Sequence, residues 1–489
     1  MNHHIALRRR LDRSMRSRRV NVPRKGTHAV VIGGSIAGLL ASRVLADYFG
    51  TVTIYEKDHL VDSAEPRMGV PQGRHVHSIW KRGLSLMEES FPGLTSELIE
   101  GGSAEVEMTS DFAWYHRGVW KLRVPSGIFI TCQTRPFLEW HIRRRVREIS
   151  NIDLVDRCYV KRFVTDATAQ RVTGVAVQSR RAGATEEIVS ADLVVDASGR
   201  GSRTPRWLEE LGYGRPEMSV IDVDVGYATR FYARPPLDDC PWKALIVAPT
   251  PPDGTRLGVI FPVEGQRWIV MLGGWNGDHP PRDDDGLLEF ARNLEAPDIY
   301  TFMREAEPLT PIAGYKFRAN VRRHYERMRR FPGGLIVLGD SLCSFNPIYG
   351  QGMTTSALDA MTLRECLERA VHKGESFDAM AHHFLKRVPR RLEAPWRMAA
   401  GEDMNWPGTQ GDAPFGTPFM NWYFGRVHAL AARDPEVLVR FVRVANMIDS
   451  PVRIFHPRVL APVFTRSTRV APSPCPQRPV GAAFLALKR

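Results

Sequence analysis

The stretch 28–57, HAVVIGGSIAGLLASRVLADYFGTVTIYEK, decides the fold of this chain of 489 residues. Its start, 28–33, predicts a short buried strand, and the small and apolar residues that follow from Ile36 recur at helical spacing. The end, 51–57, alternates as a second strand. A β-α-β unit of about thirty residues is the size of a dinucleotide-binding unit, so the predicted fold class is α/β with a Rossmann-like domain.

The glycine-rich turn of this unit predicts which groups would meet a dinucleotide. Gly33 and Gly38 take the first and third places of the dinucleotide fingerprint, and Ser35, which is small, takes the second. Phosphates would lie on amides at the helix N-terminus, favoured by its dipole. Glu56 ends the second strand, where a carboxylate can bond ribose hydroxyls. The neighbouring Ala37 and Lys57 belong to the same predicted site.

Two other interpretations fit the glycine-rich turn. An ordinary β-α-β connection can be rich in glycine without binding a ligand. The spacing Gly33-x-Ser35-x-Ala37 also matches a degenerate nucleophile elbow. The elbow does not explain Glu56, which the dinucleotide hypothesis does explain.

Two later segments carry a resemblance to a known family. DLVVDASGRGSRTPRWL, 192–208, and GLIVLGDSLCSFNPIYGQGMT, 334–354, both run from an apolar stretch into an acid and glycines. They resemble signatures of FAD-dependent monooxygenases of the para-hydroxybenzoate hydroxylase-like fold. GVPQGRHVHSIW, 69–80, is similar to the branch with polyether-type epoxidases and squalene-epoxidase-like hydroxylases. The resemblance covers nearly the whole chain and departs from the usual pattern at Ala197, where glycine is common.

This resemblance implies FAD as the cofactor and assigns residues to it. Asp196 belongs to the middle signature, Asp340 would contact the ribityl and diphosphate region, and Arg135 would help to hold the phosphates. The predicted cofactor-binding residues are Gly33, Ser35, Ala37, Gly38, Glu56, Lys57, Arg135, Asp196, Asp340, Pro347, Gly350, Gly352 and Met353.

Physical chemistry also supports a flavin site in 339–354. Asp340 follows a predicted strand, where α/β sheets place ligand-binding groups. Pro347 delays the helix, while Gly350 and Gly352 let the backbone approach a flat ring without Cβ clashes. A helix from about Met353 would direct free N–H groups at that ring. An ordinary glycine-rich helix entry would explain the glycines but not the acid.

A further group of residues is expected near the flavin or the substrate: Arg67, Arg74, His75, Tyr227 and Phe231. Most aromatic residues of a sheet are simply core, which is the competing interpretation for the last two. Another interpretation gives His75 and His77 a structural role, and a metal site lacks a third ligand at suitable spacing. The sequence therefore predicts no metal site and identifies no catalytic residue. Trp396 and the segment 401–407 are expected to close the pocket.

The predicted domain organisation is discontinuous. Hairpin patterns in 218–273 predict an antiparallel sheet, and amphipathic helices are expected at 377–400 and 427–448. The predicted units are a disordered basic tail at 1–24; an FAD-binding domain at 27–75, 125–200 and 315–390; an antiparallel β-sheet substrate domain at 76–124 and 201–314; a helical C-terminal region at 391–466; and a disordered tail at 467–489.

Composition argues against several classes of function. The net charge of +13 is typical of nucleic-acid binding, but much of the excess lies near the N-terminus and no RNP-like strand or zinc-finger spacing accompanies it. Six cysteines without CxxC spacing predict neither a disulfide framework nor a zinc site. No apolar run is long enough to span a bilayer. We expect a cytoplasmic protein, or one peripheral to the membrane for a lipophilic substrate.

The function implied by the resemblance is that of a monooxygenase. NADPH or NADH would be the transient electron donor and O2 the co-substrate. One oxygen atom would pass, through a flavin C4a-hydroperoxide, to a lipophilic secondary metabolite (polyketide, terpenoid or aromatic) by epoxidation or hydroxylation. A separate flavin reductase is an alternative electron source. The alternative functions are a reductase of the geranylgeranyl reductase type, a flavin-binding regulator, and a halogenase, although no WxWxIP segment is found.

Overall fold

The computed structural model describes residues 25–467 and Cys475. The predicted tails at 1–24 and 467–489 therefore lie outside the described residues, apart from Ser467 and Cys475. Within 25–467, no helix combines the length and the apolar character needed to cross a membrane.

A parallel sheet forms the centre of the first layer. Its strands come from separate parts of the chain and pair in the order β17 (Leu335–Val337), β11 (Leu193–Asp196), β1 (Gly26–Ile32), β2 (Phe49–Tyr55) and β7 (Ile152–Val155). All four pairings are parallel. Val30, Val31 and Val194 are completely buried, as expected for strands covered on both faces.

Helices cover this sheet and continue into the C-terminal part. In the described part of the chain they are α1 (Ile36–Leu45), α2 (Lys81–Ser90), α3 (Leu94–Glu100), α4 (Arg135–Arg147), α5 (Thr204–Glu210), α6 (Asp284–Arg292), α7 (Asp298–Glu305), α8 (Gly352–Lys373), α9 (Phe377–Asp403), α10 (Thr417–Leu430), α11 (Pro435–Ala445) and α12 (Pro457–Thr465). Helix α8 packs against α1, α2 and α9, and α9 contacts β17.

A large sheet forms the second layer. Its order is β18 (Cys343–Ser344), β16 (Ala313–His324), β12 (Glu217–Ala233), β15 (Arg267–Gly274), β14 (Arg256–Val263), β13 (Ala244–Val247), β4 (Phe112–His116) and β5 (Val119–Trp120), with β19 (Gln410–Gly411) paired to β12. It is antiparallel, as predicted for 218–273, except that β13 and β4 run parallel. The predicted α/β fold class is thus confirmed.

Two small antiparallel sheets complete the architecture. One contains β8 (Cys158–Thr165), β9 (Val172–Ser179) and β10 (Glu187–Ser190), and the other pairs β3 (Ala104–Glu107) with β6 (Phe129–Cys132).

Two predicted segments differ from the structure. The helix expected at 427–448 is divided in two, because α10 ends at Leu430 and α11 begins at Pro435. Asp434 caps α11 by accepting the amides of Glu436 and Val437, with Pro435 at the first helical position. Strand β16 pairs with β12 in the large sheet, and the boundary predicted at 315 falls within this strand, while the domain division itself stays a prediction. This strand contains many polar residues, so its sequence lacks the clear apolar alternation that predicts a strand.

A buried carboxylate ties the C-terminal helices to the rest of the fold. Asp403, at the end of α9, is completely buried. Its Oδ1 accepts hydrogen bonds from Trp275 Nε1 (3.0 Å), Asn346 Nδ2 (3.0 Å) and the Tyr349 hydroxyl (2.7 Å), and its Oδ2 accepts from Asn320 Nδ2 (2.7 Å). Burial raises the pKa of Asp403 to about 6, although these donors act in the opposite direction. The segment predicted to close a pocket therefore anchors 346–349.

A second buried carboxylate fixes the turn after β17. Asp359, in α8, accepts the amide of Gly339 at 2.8 Å through Oδ2, while its Oδ1 is buried and has no hydrogen-bond partner within the part of the chain that the structure describes. Burial raises the pKa of Asp359 to about 7, and the charge of nearby Asp340 adds to the effect.

We expect Asp403→Asn to destabilise the fold by about 3 kcal/mol, because the amide group places its own N–H donors against donors that the carboxylate accepts. The measurement is chemical denaturation followed by fluorescence, with the exposed Asp412→Asn as the matched control. Equal stability of the two variants would contradict the anchoring role of Asp403.

We expect Asp359→Asn to reduce the pH dependence of stability. Because the folded-state pKa of Asp359 is raised to about 7, the folded protein retains this proton after the unfolded chain has released it, so stability falls as pH rises from about 4 to about 7. The asparagine can still accept the Gly339 amide. Removal of the titration should decrease the loss by about 3 kcal/mol between pH 5 and pH 7.5.

The measurement is denaturation across that pH range. Glu368→Gln, an exposed change in the same helix, is the control and should leave the wild-type slope unchanged. A slope as steep as that of the wild type in Asp359→Asn would count against the assignment.

Candidate functional site

A cavity of about 910 Å³ opens at the carboxyl ends of β1, β2, β11 and β17. Two helices begin at its wall: α1 contributes Ser35 to Ala37, and α8 contributes Gly352 and Met353. Both helix N-termini therefore direct positive dipole ends and free amides towards one space. This arrangement favours a negatively charged ligand.

The first turn requires glycine at both predicted positions. Gly33 has a φ of +104°, and a Cβ there would lie 2.5 Å from the carbonyl oxygen of Ala197. At Gly38 a Cβ would lie 1.8 Å from the carbonyl oxygen of Gly33. Ser35 precedes α1 but does not cap it, because its hydroxyl donates to Glu139 Oε2 at 2.7 Å. The first amides of α1 thus lack this capping partner.

A cluster of buried charges stands behind that turn. Glu139 Oε1 accepts from Arg67 Nε at 2.9 Å, and Arg135 and Arg143 lie 3.6 and 3.8 Å from the same carboxylate. Arg135 Nη2 also donates to the Ser35 hydroxyl at 2.6 Å. Burial opposes ionisation of Glu139, but the neighbouring guanidiniums hold its pKa below the usual value. The cluster is therefore ionised on both sides.

Three guanidinium groups in this cluster have a buried N–H donor without a partner in the described part of the chain, and two of them, Arg67 and Arg135, line the cavity. Arg67 Nη2 and Arg135 Nε are buried and have no hydrogen-bond partner among the described residues. A buried N–H without an acceptor is costly, so these atoms mark places for ligand oxygens. A diphosphate has oxygens suited to this geometry.

Arg67 also contacts the predicted ribose-binding residue. Its Nη1 lies 3.0 Å from Glu56 Oε2 and 3.0 Å from Asp58 Oδ2. Burial would lower the pKa of Arg67, but the carboxylates of Glu139, Glu56 and Asp58 raise it. Arg67, expected near the flavin ring, therefore lies beside the first turn. Glu56 Oε2 further accepts the amide of Gly34 at 2.8 Å.

Asp196 differs from its predicted role. The structure places its carboxylate inside the fold, where it accepts the hydroxyls of Ser198 (2.5 Å), Ser202 (2.5 Å), Thr204 (2.6 Å) and Ser341 (3.3 Å). It is completely buried and does not line the cavity. Its carboxylate instead shapes the loop that follows β11, whose next residues line the cavity.

Asp340 does line the cavity, as predicted from its place after β17. Burial raises its pKa, and the guanidiniums of Arg135, Arg200 and Arg323 oppose that rise. Arg323, from β16, donates to the carbonyl oxygens of Ser341 (3.0 Å) and Arg200 (3.0 Å). It joins the loops that follow β11 and β17.

The turn before α8 has the shape that its proline and glycines predict. Pro347 begins a single 3₁₀ turn, and Gly350 has a φ of +64°. The indole of Trp80 donates to the Tyr349 carbonyl at 3.1 Å and leaves little room for a Cβ at Gly350. Helix α8 begins one residue earlier than predicted, and its N-cap Gln351 makes no side-chain cap. Its first amides remain available to the cavity.

His75 lies in a buried cluster of side chains beside the cavity. Its Nδ1 lies 2.8 Å from the Thr229 hydroxyl oxygen, and its ring packs edge-on against Tyr227 at 5.0 Å and lies 5.7 Å from Tyr315. Burial, with the charges of Arg74 and Arg282, lowers the pKa of His75 to about 4. This side chain is therefore neutral near pH 7. In the described part of the chain, no set of His, Cys, Asp and Glu side chains is arranged to hold a metal.

The remaining predicted neighbours lie elsewhere. Tyr227 is buried and does not line the cavity, and Arg74 and Phe231 line a second, smaller cavity. Trp406, in the segment expected to close the pocket, stacks on Trp275 at 4.4 Å within the core. All the other predicted cofactor-binding residues except Gly38 and Asp196 line the large cavity.

The groups around the large cavity suit the parts of FAD. The cavity combines two helix N-termini, glycines at the closest backbone approaches, unused buried guanidinium N–H groups and carboxylates beside the expected sugar positions. Its volume is near the upper end of ordinary small-molecule sites. The residues present fit a long, anionic dinucleotide.

Several residues that support the site were not predicted from the sequence. Glu139 was detectable in principle, because Arg135, Glu139 and Arg143 are spaced four residues apart on one predicted helix. Asp403 and Arg323 gave no such signal. Each acts through partners that are distant in the sequence.

No protein-family model matches the chain. The chain is 33% identical over 442 residues to "Protein Rv3254" of Mycobacterium tuberculosis, covering 86% of this chain and 90% of that protein. It is 25% identical over 380 residues to a kynurenine 3-monooxygenase of Salinispora tropica, covering 70% of this chain and 73% of that protein.

Solved structures share the architecture at low identity. The flavin-dependent brominase Bmp2 has a TM-score of 0.62 and 14% identity, covering 86% of this chain and 94% of its own. PqsL of Pseudomonas aeruginosa, a probable FAD-dependent monooxygenase, has a TM-score of 0.58 and 14% identity, covering 77% and 96%. The polyether-type branch of the resemblance stays a prediction. The chain therefore belongs to the same family as Protein Rv3254 and has the fold of flavin-dependent monooxygenases and halogenases.

Proposed function

We propose that this chain is an FAD-dependent monooxygenase that transfers one oxygen atom from O2 to a lipophilic small molecule. The observation that carries the proposal is the convergence of two helix N-termini, with the unused N–H groups of Arg67 and Arg135, on one cavity. The 25% identity to a kynurenine 3-monooxygenase supports the same class of reaction. We propose epoxidation of an alkene or hydroxylation as the reaction, and NADPH or NADH as the donor.

Different residues of this chain would hold different parts of FAD. Arg67 and Arg135 would bind the diphosphate, and Glu56 would accept ribose hydroxyls. Asp340 would accept a hydroxyl of the ribityl chain. The amides that open α8 at Gly352 and Met353 would face the ring, where their dipole favours negative charge.

The chemistry of the reaction would come from the bound FAD, which accepts electrons and activates O2. The protein residues would orient the ring and exclude water. The neutral His75 packs against Tyr227 and lies beside Tyr315, which lines the large cavity, so His75 would add no charge on that side of the cavity. Epoxidation needs no acid–base pair in the protein, because oxygen transfer to an alkene removes no proton from the substrate.

We expect Glu139→Gln to weaken FAD binding by about tenfold, which corresponds to about 1.4 kcal/mol. The change adds net positive charge near the diphosphate, which by itself would strengthen binding. It also releases Arg67 and Arg135 from the orientation that Glu139 imposes. The two effects on FAD binding have opposite signs. Weaker binding would therefore show that the orientation of the two guanidiniums matters more than the added positive charge.

The measurement is titration of the FAD-free protein with FAD, followed by flavin fluorescence. Glu148→Gln, an exposed change at the end of the same helix, is the control and should bind FAD as the wild type does. Tighter binding by Glu139→Gln would show that charge dominates. If the wild type binds no FAD at all, the cofactor assignment itself is wrong.

We expect oxygen uptake that depends on substrate, on NADPH or NADH, and on FAD. The assay uses panels of aromatic, terpenoid and polyketide compounds with isotopically labelled O2, with and without an added flavin reductase, and identifies products by mass. One labelled oxygen atom in the product supports the proposal. A product with two added hydrogens and no label would favour a reductase, and a halide-dependent product would favour a halogenase.

A further inference from the structure

The loop 66–75 separates a second cavity, of about 380 Å³, from the large one. Pro71 and Gln72 line the large cavity, whereas Gly73 and Arg74 line the smaller one, which we call the second groove. Its volume lies at the small end of the range of small-molecule sites.

The floor of the second groove is buried and its polar groups are already bonded. Glu264 accepts the amide and the hydroxyl of Thr134 at 2.9 and 2.7 Å. Arg267 donates to Glu264 Oε1 at 3.1 Å and its guanidinium covers the ring of Phe231 at 4.9 Å. The hydroxyl of Thr229 is held by His75. A ligand therefore meets a wall that is neutral and partly aromatic.

The charge at the rim is not balanced. Arg74 is exposed, lines the groove and forms no ion pair with any described residue. Arg282 packs against Gly314, next to the lining residue Ala313, and likewise has no ion-pair partner among residues 25–467. The Glu264–Arg267 pair is neutral, and Glu65, which lies in the sequence between the lining residues Ala64 and Pro66, offsets one of the two remaining charges. The groove therefore retains a net positive charge beside an apolar surface.

The second groove shares its wall with the cofactor cavity. Arg67 and Gly69, in the same loop, are bound to Asp58, and Arg67 also binds Glu56 and Glu139. His75 contacts Thr229 in the groove and Tyr315, which lines the large cavity. A molecule in the groove would be separated from the large cavity by the thickness of this loop.

We infer that the second groove binds a small organic carboxylate with an apolar body, such as an aryl-substituted acid. Arg74 would pair with the carboxylate, and Phe231 with its neighbours would contact the apolar part. A bidentate guanidinium–carboxylate pair supplies both direction and affinity. The inference goes beyond the proposed function, since it concerns binding and does not require turnover.

The test is calorimetric titration of the full chain, saturated with FAD so that the large cavity is filled. Phenylacetate is the charged probe, and phenylacetamide has nearly the same shape without the charge. We expect Arg74→Gln to weaken phenylacetate binding at least tenfold and to leave the weaker binding of phenylacetamide unchanged. Arg329→Gln, another exposed arginine without an ion pair in the described chain, is the matched control. It should bind both probes as the wild type does.

A second variant tests the apolar surface. Phe231→Ala should weaken phenylacetate and phenylacetamide by similar factors, and its thermal unfolding shows whether the fold is retained. The inference is wrong if the wild type binds no phenylacetate, or if Arg74→Gln binds it as tightly as Arg329→Gln. It is also wrong if NADPH, and not phenylacetate, depends on Arg74, because the groove would then belong to the electron donor. A protein that binds phenylacetate but no FAD would instead contradict only the proposed function.

Discussion

The position of α1 against β1 is the constraint on which the site depends. The backbone of Gly38 approaches the carbonyl of Gly33 so closely that any side chain at residue 38 would collide with it. This approach brings the start of α1 to the carboxyl end of β1, next to the ends of β2 and β11. The amides of α1, Glu56 and the guanidiniums behind them can then act on one ligand.

Buried carboxyl groups hold the loops that surround the cavity. Asp196 binds the hydroxyls of the loop after β11, Asp359 binds the turn after β17, and Asp403 binds the segment before α8. In each case a carboxylate accepts donors from a loop that would otherwise leave them unsatisfied. The loops of the cavity are therefore fixed from the inside of the protein, and their outer faces remain available to a ligand.

Local patterns in the sequence were sufficient for much of this structure. The fold class, the first turn, the place of Asp340 and the break before α8 could be predicted, since each depends on residues close together in the chain. The contributions of Asp403 and Arg323 could not, because they arise from contacts between distant elements. Strand β16 and the break at Asp434 were missed for different reasons. A polar strand lacks a clear apolar alternation, and a proline was overlooked within an amphipathic pattern.

The parallel sheet also affects how the chain reaches this structure. Its central strand β1 pairs with β11, through Ala29 and Leu193, and β11 pairs with β17, through Val194 and Leu335. Contacts between such distant residues form slowly, because long loops must close before the pairing stabilises them. During synthesis, the apolar β1 and β11 leave the ribosome well before β17 and α8 exist to cover them. The nascent chain therefore exposes an incomplete sheet, which a chaperone would protect from aggregation.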